Sequence, residues 1–165
     1  MKVAFASIVL LSFSLTVEAQ SNLKESSNSF ARYTHTGDIK QLESAKKFID
    51  EAYKTKRDTT SSKNNILRAL VYSSLAYADS TQKIKTPEDP IDITKRALSK
   101  IKARDKDSYE SEFNYINQNL TAAYIYRANK SIAKKEYDKA YANFLEVDRL
   151  GNKSNDVTNN LALLA

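Results

Sequence analysis

The stretch TAAYIYRANKSIAKKEYDKAYANFLEVDRLGN, residues 121–152, decides the fold of this chain. Apolar residues recur in it at steps of three and four, on both sides of the polar pair Lys135 and Glu136. Such spacing places apolar side chains on one face of a helix, so the stretch predicts two helices joined by a short turn. Gly151 follows the second helix, and glycine is common at the position where a helix ends.

The order of small and aromatic residues in this stretch resembles a tetratricopeptide (TPR) repeat. The resemblance is carried by five small or aromatic side chains: Tyr124, Ala128, Tyr137, Ala140 and Phe144. It implies an all-α fold, a TPR-like α-solenoid of antiparallel helix pairs, in which small residues lie where two helices approach closely. Arg68 and Ala69, followed by Tyr72, are similar to exported TPR proteins of the Bacteroidetes type.

The same spacing predicts helices in most of the remaining chain. Their expected bounds are residues 38–54, 62–78, 89–104, 108–134, 136–150 and 155 onward. Asp38 and Asp89 are suited to cap helix starts, and Pro90 fits the first turn of the helix that Asp89 begins. The predicted helix over 108–134 is unusually long, so we expect a kink or break near residues 117–119.

These patterns divide the chain into three parts: a signal peptide over residues 1–19, a polar linker over 20–36, and a TPR-like helical domain over 38–165. The linker assignment rests on its Ser, Asn and Thr content, with a weak helix expected near residues 30–33. The last helix would be half of a further pair. We therefore expect either that the array continues beyond residue 165 or that this helix packs back as a cap.

Composition agrees with a helical protein. Only two glycines and two prolines occur in 165 residues, whereas sheet proteins need many turn residues. The formal net charge is +6, which raises the question of nucleic-acid binding. Acidic residues are interspersed with the basic ones almost everywhere, so we interpret the basic stretches as solvated helix faces and expect no nucleic-acid partner.

The N-terminal segment predicts export. Lys2 precedes a mostly apolar stretch over residues 3–17, and the small residues Val17 and Ala19 fit a cleavage site before Gln20. The stretch is short for a membrane span, although a retained anchor is the alternative interpretation. The chain has no cysteine, so disulfides and a lipid-modified cysteine are excluded. We expect a bacterial periplasmic or secreted protein without a stable membrane anchor after the signal peptide is removed.

No pattern in the sequence predicts catalysis. His35 is the single histidine and lies in the Ser- and Thr-rich segment without a nearby acid pair. A thiolate metal site is impossible without cysteine, and two isolated glycines cannot form a phosphate-binding loop. The sequence therefore predicts neither an enzyme, nor a metal site, nor a cofactor.

The expected function is a protein- or peptide-binding scaffold in the cell envelope. Tyr126 and Asn129 lie off the main apolar stripe of their helix, on the side that a TPR array would turn toward its concave groove. A Tyr and an Asn at such positions could grip an extended peptide, so both are candidate partner-binding residues. The alternative is an accessory component for glycan uptake or envelope assembly, which exposed paired aromatic residues would favour.

Overall fold

The computed structural model describes residues 3–81, 83–151 and 154–164, with side chains from Gln20 onward. The predicted repeat end at Asn152 and the chain ends at Met1, Lys2 and Ala165 lie outside the described residues. All regular structure in the described residues is helical. The helices are α1 (Val3–Thr36), α2 (Ile39–Ala52), α3 (Lys56–Thr60), α4 (Ser62–Ala78), α5 (Pro90–Ser99), α6 (Glu110–Ala133), α7 (Tyr137–Arg149) and α8 (Asn155–Leu164), with a 3-10 helix at Ala103–Tyr109.

Helices that follow one another along the chain pack together. α1 packs on α2, α4 on α5, and α6 on α7, while α8 contacts α7. α4 also contacts α2 and α6, so it lies between neighbours on several sides. Its apolar residues are accordingly shared between two core clusters, with Ala69 and Ala76 in one and Val71 and Leu75 in the other. The all-α prediction is thereby confirmed.

The structure differs from the linker expected over residues 20–36, because these residues form the C-terminal half of α1. Phe30 and Tyr33 are buried there, together with two serines, Ser26 and Ser29. The Ser26 hydroxyl donates a hydrogen bond of 2.8 Å to the backbone oxygen of Ala45 in α2. Serine is small and its hydroxyl is satisfied by the neighbouring backbone, so a Ser-rich helix can pack closely. Polar composition was therefore a poor guide to exposure here.

The cap residues act as the sequence predicts. The Asp38 carboxylate accepts a hydrogen bond of 3.0 Å from the backbone N–H of Lys40. Asp89 accepts one of 2.9 Å from Ile91, with Pro90 in the first turn of α5. Gly37 between α1 and α2 has φ +71°, a left-handed conformation that glycine adopts without the steric cost of a side chain.

Two features of the helices differ from the sequence prediction, namely the end of α5 and the continuity of α6. α5 ends at Ser99 rather than near residue 104, and the following backbone turns into the 3-10 helix. That segment is held by Ser62, whose hydroxyl donates to Asp105 at 2.6 Å. The break expected near residues 117–119 is absent, since α6 is continuous across them. Asn119 is buried there and donates a hydrogen bond of 3.2 Å to the Ser74 hydroxyl of α4, so this polar residue fits inside a helix interface.

Candidate functional site

An open groove of about 840 Å³ lies over α4, and residues of α1, of α3 and of the start of α6 also line it. Its volume lies within the range of ordinary ligand-binding clefts. Four leucine and isoleucine side chains give it an apolar floor: Leu23, Ile66, Leu67 and Leu70. Its border is polar or charged, formed by residues from α1, α3 and its caps, α4, the end of the 3-10 helix and α6: Gln20, Lys24, Ser27, Asn28, Thr55, Arg57, Asp58, Ser61, Lys63, Asn64, Tyr109 and Glu112.

Three cations border this groove. Lys24, Arg57 and Lys63 are exposed, and among the described residues none of them forms an ion pair. The two carboxylates of the border take part in local contacts instead. Asp58 accepts hydrogen bonds from the Thr55 hydroxyl at 2.6 Å and its N–H at 3.3 Å in a capping box, and Glu112 accepts from Ser111 at 2.8 Å. The three cations are therefore free to meet an anionic group.

Asn64 is a polar residue in the groove wall that lacks a partner for its side chain. Only 7% of the residue is exposed, yet its amide makes no hydrogen bond to any described residue. No completely buried side-chain nitrogen or oxygen in the described residues is unpaired, so the Asn64 amide must keep some contact with the groove's solvent. An amide in this position can both donate and accept a hydrogen bond. Asn28 of α1 also lines the groove.

Aromatic rings join α1 to α6 beside the groove. The rings of Phe30 and Tyr115 meet edge to face, with centroids 6.1 Å apart. Phe30 also contacts Tyr33, at 6.1 Å. Burial, followed by the neighbouring Tyr115 and Tyr77, raises the pKa of Tyr33, so its hydroxyl stays protonated. A smaller hollow of about 250 Å³, bordered by Phe30 and Tyr115, shares Leu70 and Glu112 with the groove.

Tyr126 and Asn129, the residues suggested by the sequence, are both exposed on α6, Tyr126 to 40%. Neither borders the groove or the smaller hollow. Tyr126 follows Tyr115 by eleven residues, about three helical turns, so the two share a face of α6 and lie about 16 Å apart along it. Both residues remain predictions for partner binding.

A second polar cluster lies between α2 and α4. The Asp50 carboxylate accepts hydrogen bonds from Arg68 at 2.6 Å and from the Tyr72 hydroxyl at 2.8 Å, and it pairs with Lys46 at 3.0 Å. The Arg68 guanidinium also lies 4.5 Å from the centre of the Tyr53 ring. Burial, with Asp50 nearby, raises the pKa of Tyr72 strongly, so this hydroxyl stays protonated and keeps donating to Asp50. None of these residues lines the groove, and the cluster ties α2 to α4.

Charged pairs also connect α5 to the later helices. Asp89 pairs with Arg127 of α6 at 2.8 Å. Burial alone would disfavour the charged carboxylate, but the hydrogen bonds from Arg127 and from the Ile91 N–H outweigh it and lower the pKa of Asp89. Lys95 of α5 pairs with Glu146 of α7. These ion pairs hold α5 against α6 and α7.

A metal site and a membrane span would each require a particular arrangement of the described residues. They contain no group of three or more His, Asp or Glu side chains placed to hold a metal ion. Within residues 3–81, 83–151 and 154–164, no helix combines the length and apolar character needed to cross a membrane.

Sequence reasoning missed the groove. Lys24 and Asn28 stand in the segment interpreted as a linker, and Arg57 and Lys63 in or beside the polar break between two helices. The four-residue step from Lys24 to Asn28 is a helical spacing that could have placed both on one face of α1. The convergence of α1, α3 and α4 on one groove depends on tertiary packing, which no local pattern contains.

Comparison with protein-family models, with curated proteins and with solved structures finds no match to this chain.

Proposed function

We propose that this protein is a non-catalytic scaffold that binds a segment of a partner protein or peptide in the groove over α4. The observation that carries the proposal is the combination of an apolar floor and a polar border, supplied by separate helices that do not themselves fill the space. Binding clefts have this composition, since apolar contact gives affinity and a few polar groups fix orientation.

The helix packing supports a TPR-like α-solenoid as the architecture of this scaffold. Each helix of the pairs α1–α2, α4–α5 and α6–α7 contacts elements that are close to it along the chain. In repeat proteins each unit likewise contacts only its neighbours, and the stacked units form an extended binding surface. α1, α4 and α6 would be the inner helices of such an array, because these three long helices line the groove together with the short α3.

The place of action that we propose is the cell envelope, after export by the signal peptide over residues 1–19. The basis is the apolar N-terminal stretch and the small residues Val17 and Ala19 before Gln20. Gln20 itself borders the groove. Cleavage before this residue would therefore leave the groove-lining part of α1 in the mature protein.

A glycan-binding accessory role is the second candidate, and the aromatic residues favour it. Tyr77 is 54% exposed and lies close enough to Tyr33 to influence its pKa, as does Tyr115. One exposed ring near two further tyrosine hydroxyls suits a sugar, whose faces are apolar and whose edges are polar. Loss of glycan binding in Tyr77→Ala, without loss of peptide binding, would favour this candidate.

The proposal is tested by selecting peptides from a random displayed library on the immobilised full chain. Selected peptides should slow backbone hydrogen exchange at residues 20–28 and 61–70, which border the groove. Ser27→Trp should weaken binding about tenfold, because Ser27 is exposed in the groove wall and a large ring would fill the space.

The matched control is Ser99→Trp, the same change at an exposed residue of α5 that does not border the groove. It should leave the affinity within about twofold, as expected for an ordinary surface change. Failure to select any peptide, or equal affinities for both tryptophan variants, would reject the groove as the binding site.

A further inference from the structure

We infer that the groove takes an acidic peptide segment that carries an apolar anchor residue. The inference rests on the proposed scaffold function and adds the chemistry of the occupant. It follows from three features of the groove together: its free cations, its apolar floor and its unpaired amide.

The cations give the sign of the charge. Lys24 comes from α1, Arg57 from α3 and Lys63 from α4, so three separate elements bring positive charge to one groove. None of the three forms an ion pair within the described residues, whereas Arg68, Lys95 and Arg127 elsewhere in the protein do. Cations at the border of a binding surface speed association with an anionic partner and repel a basic one.

The border carboxylates do not cancel this effect. Asp58 is held by the capping box at Thr55, and Glu112 accepts a hydrogen bond from Ser111. Three cations against two carboxylates leave an excess of positive charge at the border. An acidic segment gains from that excess, and its own carboxylates also fit the forked guanidinium of Arg57.

The apolar floor of the groove indicates that the occupant also carries an apolar side chain. Leu67 and Leu70 border the groove together with Leu23 of α1. Covering such a surface with water gives no stabilisation, while an apolar side chain gains about 25 cal/mol for each Å² removed from water. A purely acidic chain would leave this floor wet, so at least one apolar anchor is expected among the acidic residues.

The amide of Asn64 favours a polypeptide as occupant. It is nearly buried, makes no hydrogen bond within the described residues, and can donate to a carbonyl while accepting from an N–H. A peptide main chain offers both groups in each residue. A single-stranded nucleic acid would need several aromatic rings for its bases to stack on. Tyr109 is the one aromatic residue among the described lining residues, so the groove suits a peptide better than a nucleic acid.

The experiment measures the affinity of peptides selected from the random library for the unmodified protein and for a groove variant. The groove variant carries three substitutions: Lys24→Gln, Arg57→Gln and Lys63→Gln. The matched control is Lys85→Gln, Lys106→Gln, Lys130→Gln, three exposed lysines away from the groove. Both variants lose three positive charges from the net charge of +6, so a general charge effect would appear in both.

The selected peptides should be rich in Asp and Glu around one or two apolar residues. The groove variant should bind them about tenfold more weakly, and the control within about twofold, since each partly solvated ion pair contributes a modest factor. Added salt should weaken binding to the unmodified protein more than binding to the groove variant.

Three results would overturn the inference. If the selected peptides are neutral or basic and bind the Ser27→Trp variant more weakly, the acidic occupant is rejected while the groove remains a peptide site. An oligothymidine probe that binds more tightly than the peptides, and loses affinity in the groove variant, would indicate nucleic acid instead. If no selected peptide responds to Ser27→Trp, the proposed function fails and the inference fails with it.

Discussion

At the scale of single residues, Asp89 performs two separable tasks. Its carboxylate caps α5 through the N–H of Ile91, and it pairs with Arg127 of α6. Asparagine caps helices about as well as aspartate, so Asp89→Asn removes the charge while retaining the cap. We therefore expect this variant to report mainly the ion pair, whose contribution at a partly solvated site is about 1 kcal/mol or less.

The pair should make stability depend on pH in one direction. The pKa of Asp89 is lowered in the folded protein, so its contribution is complete above the ordinary pKa of about 4 and is lost as pH falls through the folded value. Urea unfolding should show Asp89→Asn less stable than the unmodified protein at neutral pH, with the gap closing in acid as pH falls below about 4.

Asp92→Asn is the control for this measurement, because Asp92 is exposed in the first turn of the same helix and forms no ion pair among the described residues. Its effect should be small at both pH values. A gap between Asp89→Asn and the unmodified protein that persists unchanged in acid would show that the charge of Asp89 is not its cause.

At the scale of elements, α1 is the helix that composition concealed. Ser26 has no exposed surface and bonds to Ala45 of α2, whereas the next residue, Ser27, is exposed. Ser26→Leu would force a larger side chain into the α1–α2 contact and should cost about 1–3 kcal/mol of unfolding free energy. Ser27→Leu, the same change one residue on, should cost little.

Urea unfolding measures this difference, and limited proteolysis with trypsin adds a local test. Cleavage after Lys24 and Arg32 should be faster in Ser26→Leu, since α1 would separate from α2 more often. Equal stability and equal cleavage in the two leucine variants would argue that residues 20–36 do not pack as described.

The helices also show how much of the fold can be predicted from local sequence. The starts of α2 and α5 follow from Asp38 and Asp89, and α4 has the predicted bounds, because caps and apolar spacing act locally. α1 was missed because its buried serines are satisfied by another helix. Asn119 misled for the same reason, since its partners lie on α4. The groove was beyond prediction because side chains from α1, α3, α4 and α6 must meet to form it.

At the scale of the whole molecule, export can be tested directly. Expression in a bacterial host with a Sec pathway should yield exported protein whose N-terminal residue is Gln20, as measured by intact mass. Ala19→Lys should leave residues 1–19 attached, because the cleavage site requires small residues. Ser21→Lys adds the same charge but keeps Val17 and Ala19, so it should be processed. Exported protein that retains residues 1–19 without any substitution would contradict the signal peptide.

Along α6, the paired rings of Phe30 and Tyr115 stand between two compartments, namely the groove, which Glu112 borders, and the exposed surface at Tyr126. The groove lies on one side of this pair of rings, while Tyr126 lies about 16 Å beyond Tyr115 along α6. A short ligand would therefore occupy one compartment alone. A longer partner that engages both would attach at two points, and the first attachment would raise the effective concentration of the second. Two weak contacts could then give tight binding that neither surface would provide when tested separately.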